Sequence, residues 1–525
     1  MASELEADCE KVEIFFQENR GRGVRATTII EPGTILCQED PYVFVLDGKE
    51  RKNRCSFCFQ KREKLKKCGG CNYVSYCDRQ CQSSNYANHQ YECKFLKGAE
   101  CDVQLRTRLL LMCLQKQLKR SKKNSVFNSQ GFPLRPEGLY EKKEEDHEKE
   151  TSDQGPDMEI LLVFLSGLKG VDISTESVYR CLRLLNANTF SIYDETIWKG
   201  IGEGLFTRLA MFNHDCRPNC TFVFDGVRLS VRSLKSISPG EECVISYLNL
   251  MKPAAARQNT LRNWYDFECD CERCTQGSKE DRLMYAIKCP QMNCLGTVVP
   301  CQPGIVMSMI PLFPKREIYK TITHLGEFPQ KTLYLLKVGP DEDFEGCDAC
   351  GFDISTSNLP DKIKEAEEKV KSFWDANHGN DALFLDGCGP LVSLLDSVYQ
   401  PHHMSVYNLN KGAFNAALRT FHDAEHEMTL KYGLRSVCAL RTQLDDCDAY
   451  MCYTLWRVGQ LQAQLGLSSK AIHTLEKDLT SMRIAYGSNH KVTLMAEELL
   501  VTLKAGKDDS GIDNTLTQEE SNLSN

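Results

Sequence analysis

The apolar positions change period several times along the chain. From residue 10 to 46, β-formers alternate with turn signals: KVEIFF, then NRGRGVRA, then TTIIEPGTILCQ, where Pro32-Gly33 predicts a tight turn between two short strands. The stretch VQLRTRLLLMCLQKQLKR repeats its leucines at helical spacing instead. From about Ser121 to Asp157 the chain is polar, charged and broken by glycine and proline, which predicts a solvated loop. Short strands return between Asn186 and Tyr247, in TFVFDG, VRLSVRSL and CVISYL. Beyond about Asp361 amphipathic helices take over, up to a polar tail after Lys504. One window there, with Leu455, Val458-Gly459, Ala471 and Leu475, has the spacing of a tetratricopeptide-like helix hairpin, an ordinary helical bundle being the alternative.

These shifts divide the chain into a β unit at 10–50, a cysteine-rich block at 55–93, a helical insert with a charged loop at 98–185, a second β unit at 186–268, a second cysteine-rich segment at 269–355, a helical domain at 361–504 and a disordered tail at 505–525. The fold class expected is α+β. A length of 525 residues is enough for several cores. Net charge of −8 and a pI near 5.9 give no basic field, so nucleic-acid binding by charge alone is disfavoured. Lysines 61, 64, 66 and 67 are a solvated face that leaves direct DNA contact an open, non-specific alternative. The N-terminus is acidic where a secretion signal is basic, and no apolar run reaches a membrane span, so a soluble protein of cytoplasm and nucleus is expected.

Cysteine carries most of the chemistry. Of 27 cysteines, 23 lie at or before Cys350, many in short pairs, and in a reducing compartment such pairs hold metal more often than disulfide. Cys55-x2-Cys58, Cys68-x2-Cys71, Cys77-x3-Cys81 and His89-x3-Cys93 supply eight ligands, the number for two closed tetrahedral zinc sites. So small a block with few large apolar groups folds largely on its metal.

Four further pieces are separated in sequence: NRGRGV at 19–24, FNHDCRPNC at 212–220, PGEECVISY at 239–247 and WYDFECDCERC at 264–274. Together they resemble a SET domain. With a MYND-like finger inserted after the first strands and helices at the C-terminal side, the chain resembles the SMYD family of protein-lysine methyltransferases, over about 10–275 and more loosely to about 505. The resemblance pairs Cys55, Cys58, Cys77 and Cys81 on one zinc, and Cys68, Cys71, His89 and Cys93 on a second. It also implies that the finger binds proline-rich peptides.

For S-adenosylmethionine the resemblance points to Arg20, Gly21, Arg22, Asn188, Asn213, His214, Tyr247 and Phe267, with Tyr247 as the catalytic residue. Methyl transfer needs a neutral lysine, and an apolar aromatic channel penalises the charged amine. Phe190, Tyr247, Tyr265 and Phe267 are the candidate walls, a plain aromatic core being the other reading of each. Cys216 joined to Cys269, Cys271 and Cys274 completes a third zinc site. Asp215, Arg217 and Cys243 depart from the family pattern without removing a ligand or the tyrosine.

Cys289, Cys294, Cys347 and Cys350 have ligand-pair spacing for a possible fourth zinc. His422-Asp423-Ala424-Glu425-His426 fits a metallopeptidase pattern without a third ligand and is taken as chance. Gly200, Gly202 and Gly204 lack the context of a dinucleotide fingerprint. The function expected is methyl transfer from S-adenosylmethionine to lysines of histone or other proteins. The alternative is a scaffold of finger and helical repeats whose SET fold is vestigial.

Overall fold

A computed structural model of the chain describes residues 9–18, 20–99, 102–118, 132–133, 136–140, 163, 174–275, 279–299, 346–353, 357–377, 380–420 and 426–507. Most of the charged loop, most of the stretch between the two cysteine pairs of the fourth set, His422 to Glu425 and the tail beyond 507 lie outside the described residues. Its architecture is α+β, a set of small sheets split by a cysteine-rich finger and followed by a helical array.

Strands β1 (Val12–Gln17) and β2 (Gly21–Ala26) form an antiparallel hairpin, so the glycine-rich stretch is itself a strand and the turn sits just before it. β3 (Ile35–Glu39) follows the Pro32-Gly33 turn, where Gly33 takes a positive φ of 80°. It borders the hairpin of β10 (Cys220–Asp225) and β11 (Arg228–Ser233). A disulfide joins Cys9, just before β1, to Cys37 in β3, a pair not singled out in the sequence.

β4 (Val43–Leu46) is buried on both faces. It pairs with β8 (Lys199–Leu205), which pairs in turn with β7 (Thr189–Asp194). Over this sheet lies α2 (Leu105–Leu118), buried continuously from Leu109 to Leu114, as expected of a helix covered by a sheet and by α3 (Thr175–Asn188).

The finger leaves the fold between β4 and α2, and contains the hairpin of β5 (Lys66–Lys67) and β6 (Ser75–Tyr76) and helix α1 (Arg79–His89). It docks through Phe59: a Cβ on Gly202 of β8 would come within 2.5 Å of that ring, so the glycine series at 200–204 serves packing and not a nucleotide. Arg54 fixes the same seam, donating to the Phe59 carbonyl at 3.1 Å and to Asp194 at 2.8 Å.

After β9 (Asn213–His214) and β12 (Val244–Ile245), which pair in parallel, come α4 (Ala254–Tyr265), α5 (Glu272–Thr275), α6 (Lys279–Leu283) and the hairpin of β13 (Ile287–Lys288) and β14 (Thr297–Val298). The array then runs through α7 (Leu359–Asn377), α8 (Asp381–Val398), α9 (Met404–Thr420), α10 (His426–Leu440), α11 (Ala449–Gln464), α12 (Ser468–Ala485) and α13 (Lys491–Lys507), each helix packed on the next. The last helix runs three residues into the segment expected to be a disordered tail. Gly459 and Leu475 meet as a helix hairpin requires: a Cβ on the glycine would lie 2.8 Å from the leucine Cδ2. No helix among the described residues is long and apolar enough to cross a membrane.

The array is attached at both ends. At the near end, the Met404 and Gln400 N–H groups donate to the Met284 and Ala286 carbonyls at 2.9 and 3.0 Å, and Lys288 donates to the Asp396 carbonyl at 2.6 Å. The far end meets the second β unit: Arg232 donates to the Ile484 carbonyl at 3.0 Å, and His490 reaches the Phe224 carbonyl at 2.9 Å and Glu195 at 3.2 Å. Trp198 packs there against both Tyr450 and Tyr453.

Candidate active site and metal centres

Glu242, in the loop before β12, is the hub of the site. Its carboxylate accepts from Arg20 at 3.1 Å and from the Asn213 side chain at 2.8 Å. Arg20 also donates to the His214 carbonyl at 3.1 Å, so the β1–β2 turn is stapled to β9. Gly23 sits under this hub. A Cβ there would lie 2.6 Å from Glu242 Oε1 and 2.8 Å from both Asn213 Nδ2 and Phe15, so only glycine fits without displacement. Behind β9, the buried Glu39 carboxylate accepts three backbone N–H groups, from Thr207, Arg208 and Leu209 at 2.9 to 3.2 Å, and anchors the turn that delivers Phe212 and Asn213.

His214 is buried, and burial pushes its imidazole down to about 3. Its Nδ1 accepts the Tyr247 backbone N–H at 3.0 Å, so the neutral ring carries its proton on Nε2, which faces Cys216 Sγ at 3.3 Å. The Tyr247 hydroxyl donates to the Phe212 carbonyl at 2.7 Å, and burial raises its pKa so that the phenol stays neutral. Around it stand Tyr265, His214 and Phe267, with ring centroids 4.8, 5.4 and 6.4 Å away.

The structure thus gathers Arg20, Asn213, His214, Tyr247, Tyr265 and Phe267. Gly21 lies at the head of β2 with a positive φ of 71° and open space where a Cβ would point, and Arg22 follows it, half-buried. Phe190, half-buried, stands edge-on to Phe206 and Phe222 at 5.8 and 5.6 Å; among the described ring contacts it has none with the Tyr247 group. Asn188, at the end of α3, uses its amide on the Leu184 and Tyr140 carbonyls at 2.7 and 2.8 Å.

The cysteines converge into four groups: Cys55, Cys58, Cys77 and Cys81; Cys68, Cys71, His89 and Cys93; Cys216, Cys269, Cys271 and Cys274; and Cys289, Cys294, Cys347 and Cys350. Within each group the ligand atoms lie within 4.8 Å of one another. A zinc–sulfur distance of about 2.3 Å implies a tetrahedral edge of about 3.8 Å. Cys58 and Cys77 are 3.7 Å apart, Cys68 and Cys93 3.9 Å, Cys216 and Cys274 3.6 Å, and Cys289 and Cys350, like Cys294 and Cys347, 3.7 Å. These spacings suit tetrahedral zinc and are too long for disulfides. The donor sets, three of four sulfurs and one of three sulfurs and an imidazole, leave no position open for water.

Outer partners tune these groups, and the sequence did not announce them. His89 Nδ1 pairs with Glu92 at 3.0 Å, and Glu92 takes a bidentate bond from Arg108 at 2.8 and 2.9 Å. Burial alone would raise the Glu92 carboxyl, but Arg108 and His89 hold it down at about 2. At the third group Arg257 donates to Cys216 at 3.2 Å and to Cys274 at 3.5 Å. Glu242, Gly23, Glu92, Arg108 and Arg257 were all missed as site residues. Only the acidic pair inside PGEECVISY offered a signal, for Glu242.

The SET-domain family model matches residues 21–248. The chain is 28% identical over 299 residues to "Histone-lysine N-methyltransferase Smyd1" of Mus musculus, covering 54% of this chain and 59% of that protein. It is 30% identical over 288 residues to "Histone-lysine N-methyltransferase SMYD3" of Homo sapiens, covering 52% and 64%. With "N-lysine methyltransferase SMYD2-B" of Xenopus laevis it shares 30% identity over 334 residues, 62% of this chain and 74% of that one. The matches to the first two of these span about three fifths of the relatives' own length. Taken with the split β unit, the inserted finger and the hub joining distant segments around Tyr247, these matches place the chain in the SMYD family.

Proposed function

We propose that the protein is an S-adenosylmethionine-dependent protein-lysine N-methyltransferase acting on histone or other protein lysines. The observation that carries this reading is the convergence of Arg20, Glu242, Asn213 and His214 on the wall formed by Tyr247, Tyr265 and Phe267. The relatives' names support the same reaction class. When bound, S-adenosylmethionine supplies an electrophilic methyl group on a sulfonium.

The chain's own residues do the rest. Arg20, Gly21 and Arg22 line one side of the cofactor site, and Asn213 and His214 the other. A lysine entering beside Tyr247 and Tyr265 leaves bulk water, which favours its neutral, nucleophilic form. Tyr247, neutral and fixed through the Phe212 carbonyl, orients the reacting groups, and holding two reactants in line lowers a barrier by up to roughly 7 to 11 kcal/mol. Aromatic faces add cation–π attraction of about 0.5 to 2 kcal/mol. Zinc in all four cysteine groups would be structural, fixing the finger, the floor of the site and the segment around the β13–β14 hairpin. The finger's role in this proposal is to take proline-rich peptides.

Transfer of labelled methyl to a histone mixture and to cell extract, with Tyr247→Phe alongside, tests the reading. A fall of at least 100-fold in the variant is expected, on the order of one catalytic contact. Cofactor binding without labelling of any protein would favour the scaffold reading instead.

A further inference from the structure

The third thiol group lies between two regions of the fold. On one side is the proposed cofactor site, because Cys216 faces His214, which in turn holds the backbone of Tyr247. On the other is a buried run of charge. Arg257 is fully buried, and besides Cys216 and Cys274 it donates to both oxygens of Asp281 at 2.9 and 2.8 Å. Arg273, also buried, donates to the same Asp281 at 2.8 Å, to the Leu250 carbonyl at 3.1 Å and to Gln443 Oε1 at 2.6 Å. Gln443 belongs to the helical array, in the turn after α10.

Charge counting shows why the run has this form. Asp281 can neutralise one of its two guanidinium partners. Buried charge must be compensated, and the anions within reach of Arg257 beyond Asp281 are the sulfurs of Cys216 and Cys274. Four thiolates around one divalent ion carry two net negative charges, so the second cation is matched by the metal group itself. A guanidinium suits this place because its planar fork serves sulfur and carboxylate at once, which an ammonium cannot do.

We propose that Arg257 is a positioning residue that links the floor of the cofactor site to the helical array, through Cys216 and Cys274 on one side and Asp281, Arg273 and Gln443 on the other. The array then bears on the methyl-donor pocket through a continuous, largely buried line of hydrogen bonds. The cofactor arm of the test rests on the methyltransferase reading, whereas the zinc arm stands without it.

The test uses the full-length chain in its zinc-loaded form. Arg257→Met is expected to release one zinc per chain to EDTA about 10- to 100-fold faster than the unaltered chain, as loss of an outer partner does. Arg257→Lys, which restores charge without the fork, should fall between the two. Gln443→Ala, which removes the bond from Arg273 at the array, is expected to keep the full zinc content but weaken S-adenosylmethionine binding by about 3- to 10-fold in calorimetry. Zinc release from Arg257→Met at the unaltered rate would overturn the link at the metal. Unchanged cofactor affinity in Gln443→Ala would overturn it at the array, and remains readable should Arg257→Met not fold. If the unaltered chain itself bound no cofactor while Arg257→Met shed zinc, the methyltransferase reading would fail and the metal-side role of Arg257 would stand.

Discussion

Replacing Gly23 by alanine adds one methyl group at the point where the hub is tightest. The backbone of β2 is ordinary strand at this residue, so alanine brings no conformational strain and the effect is steric. The new carbon would stand 2.6 Å from Glu242 Oε1, and carbon and oxygen rest no closer than roughly 3.3 Å, so the carboxylate must withdraw by roughly 0.7 Å. Its bonds to Arg20 and Asn213, at 3.1 and 2.8 Å, cannot both survive that shift. A hydrogen bond to a charged group contributes roughly 1.5 to 3 kcal/mol and overpacking costs roughly 1 to 3 kcal/mol, part of which relaxation recovers. A net effect of about 2 kcal/mol, borne mainly by the cofactor site, corresponds to roughly 30-fold weaker S-adenosylmethionine binding. Calorimetric titration measures the affinity, and a thermal unfolding curve of the same sample separates it from global destabilisation. Gly21→Ala is the comparison: nothing lies within 4 Å of its Cβ direction, and its cost is the positive φ, about 1 to 2 kcal/mol. If Gly23→Ala bound the cofactor as tightly as the unaltered chain, the hub would not be part of the site.

Arg108→Met leaves the Glu92 carboxylate buried without its strongest partner, and a loss of about 3 to 5 kcal/mol is expected. Denaturant unfolding reads it, and a change below about 1 kcal/mol would refute it. The fourth thiol group predicts its own zinc: Cys289→Ser with Cys347→Ser should lower the metal content of the chain by one equivalent in elemental analysis, and an unchanged count would remove the site. Glu367 gives a pH dependence. Burial pushes its carboxyl up to about 7, against the help of Tyr399 and Ser405, so between the ordinary carboxyl value and 7 the folded chain holds a proton that the unfolded chain has lost. Stability from this group is therefore full at low pH and falls by about 1.4 kcal/mol per pH unit as pH rises toward 7, then levels. Glu367→Gln should flatten the slope of urea midpoints between pH 5 and 7, and an unaltered slope would assign it to other groups.

Much of the metal chemistry was legible because ligand spacing is a local property: two cysteines two or three residues apart present both sulfurs to one ion almost whatever the surrounding fold. The joining of Cys216 to Cys269, Cys271 and Cys274 needed the resemblance, since 52 residues lie between Cys216 and Cys269. Helix periodicity also read well, as at Gly459 and Leu475. What the sequence hid were roles that exist only across the fold. Gly23 looks like any glycine of a loose turn until Glu242 is placed above it. Arg108 and Arg257 sit on helices among other charged residues, and a one-dimensional reading assigns them to solvent, yet both are buried against metal-site partners. Phe190 shows a role the sequence could not resolve: the half-buried ring stands edge-on to Phe206 and Phe222, a contact made only across the fold.

The two-ended attachment of the helical array bears on how a long protein substrate gains access. A beam fastened at one abutment can swing, but one fastened at both, and tied again near its middle through Gln443, can only flex. Admitting a bulky globular partner beneath it would mean severing one whole anchorage at once, with its carbonyl bonds and the stacking around Trp198. On the proposed methyltransferase reading, a partner that leaves both anchorages intact would be favoured over one that has to break them.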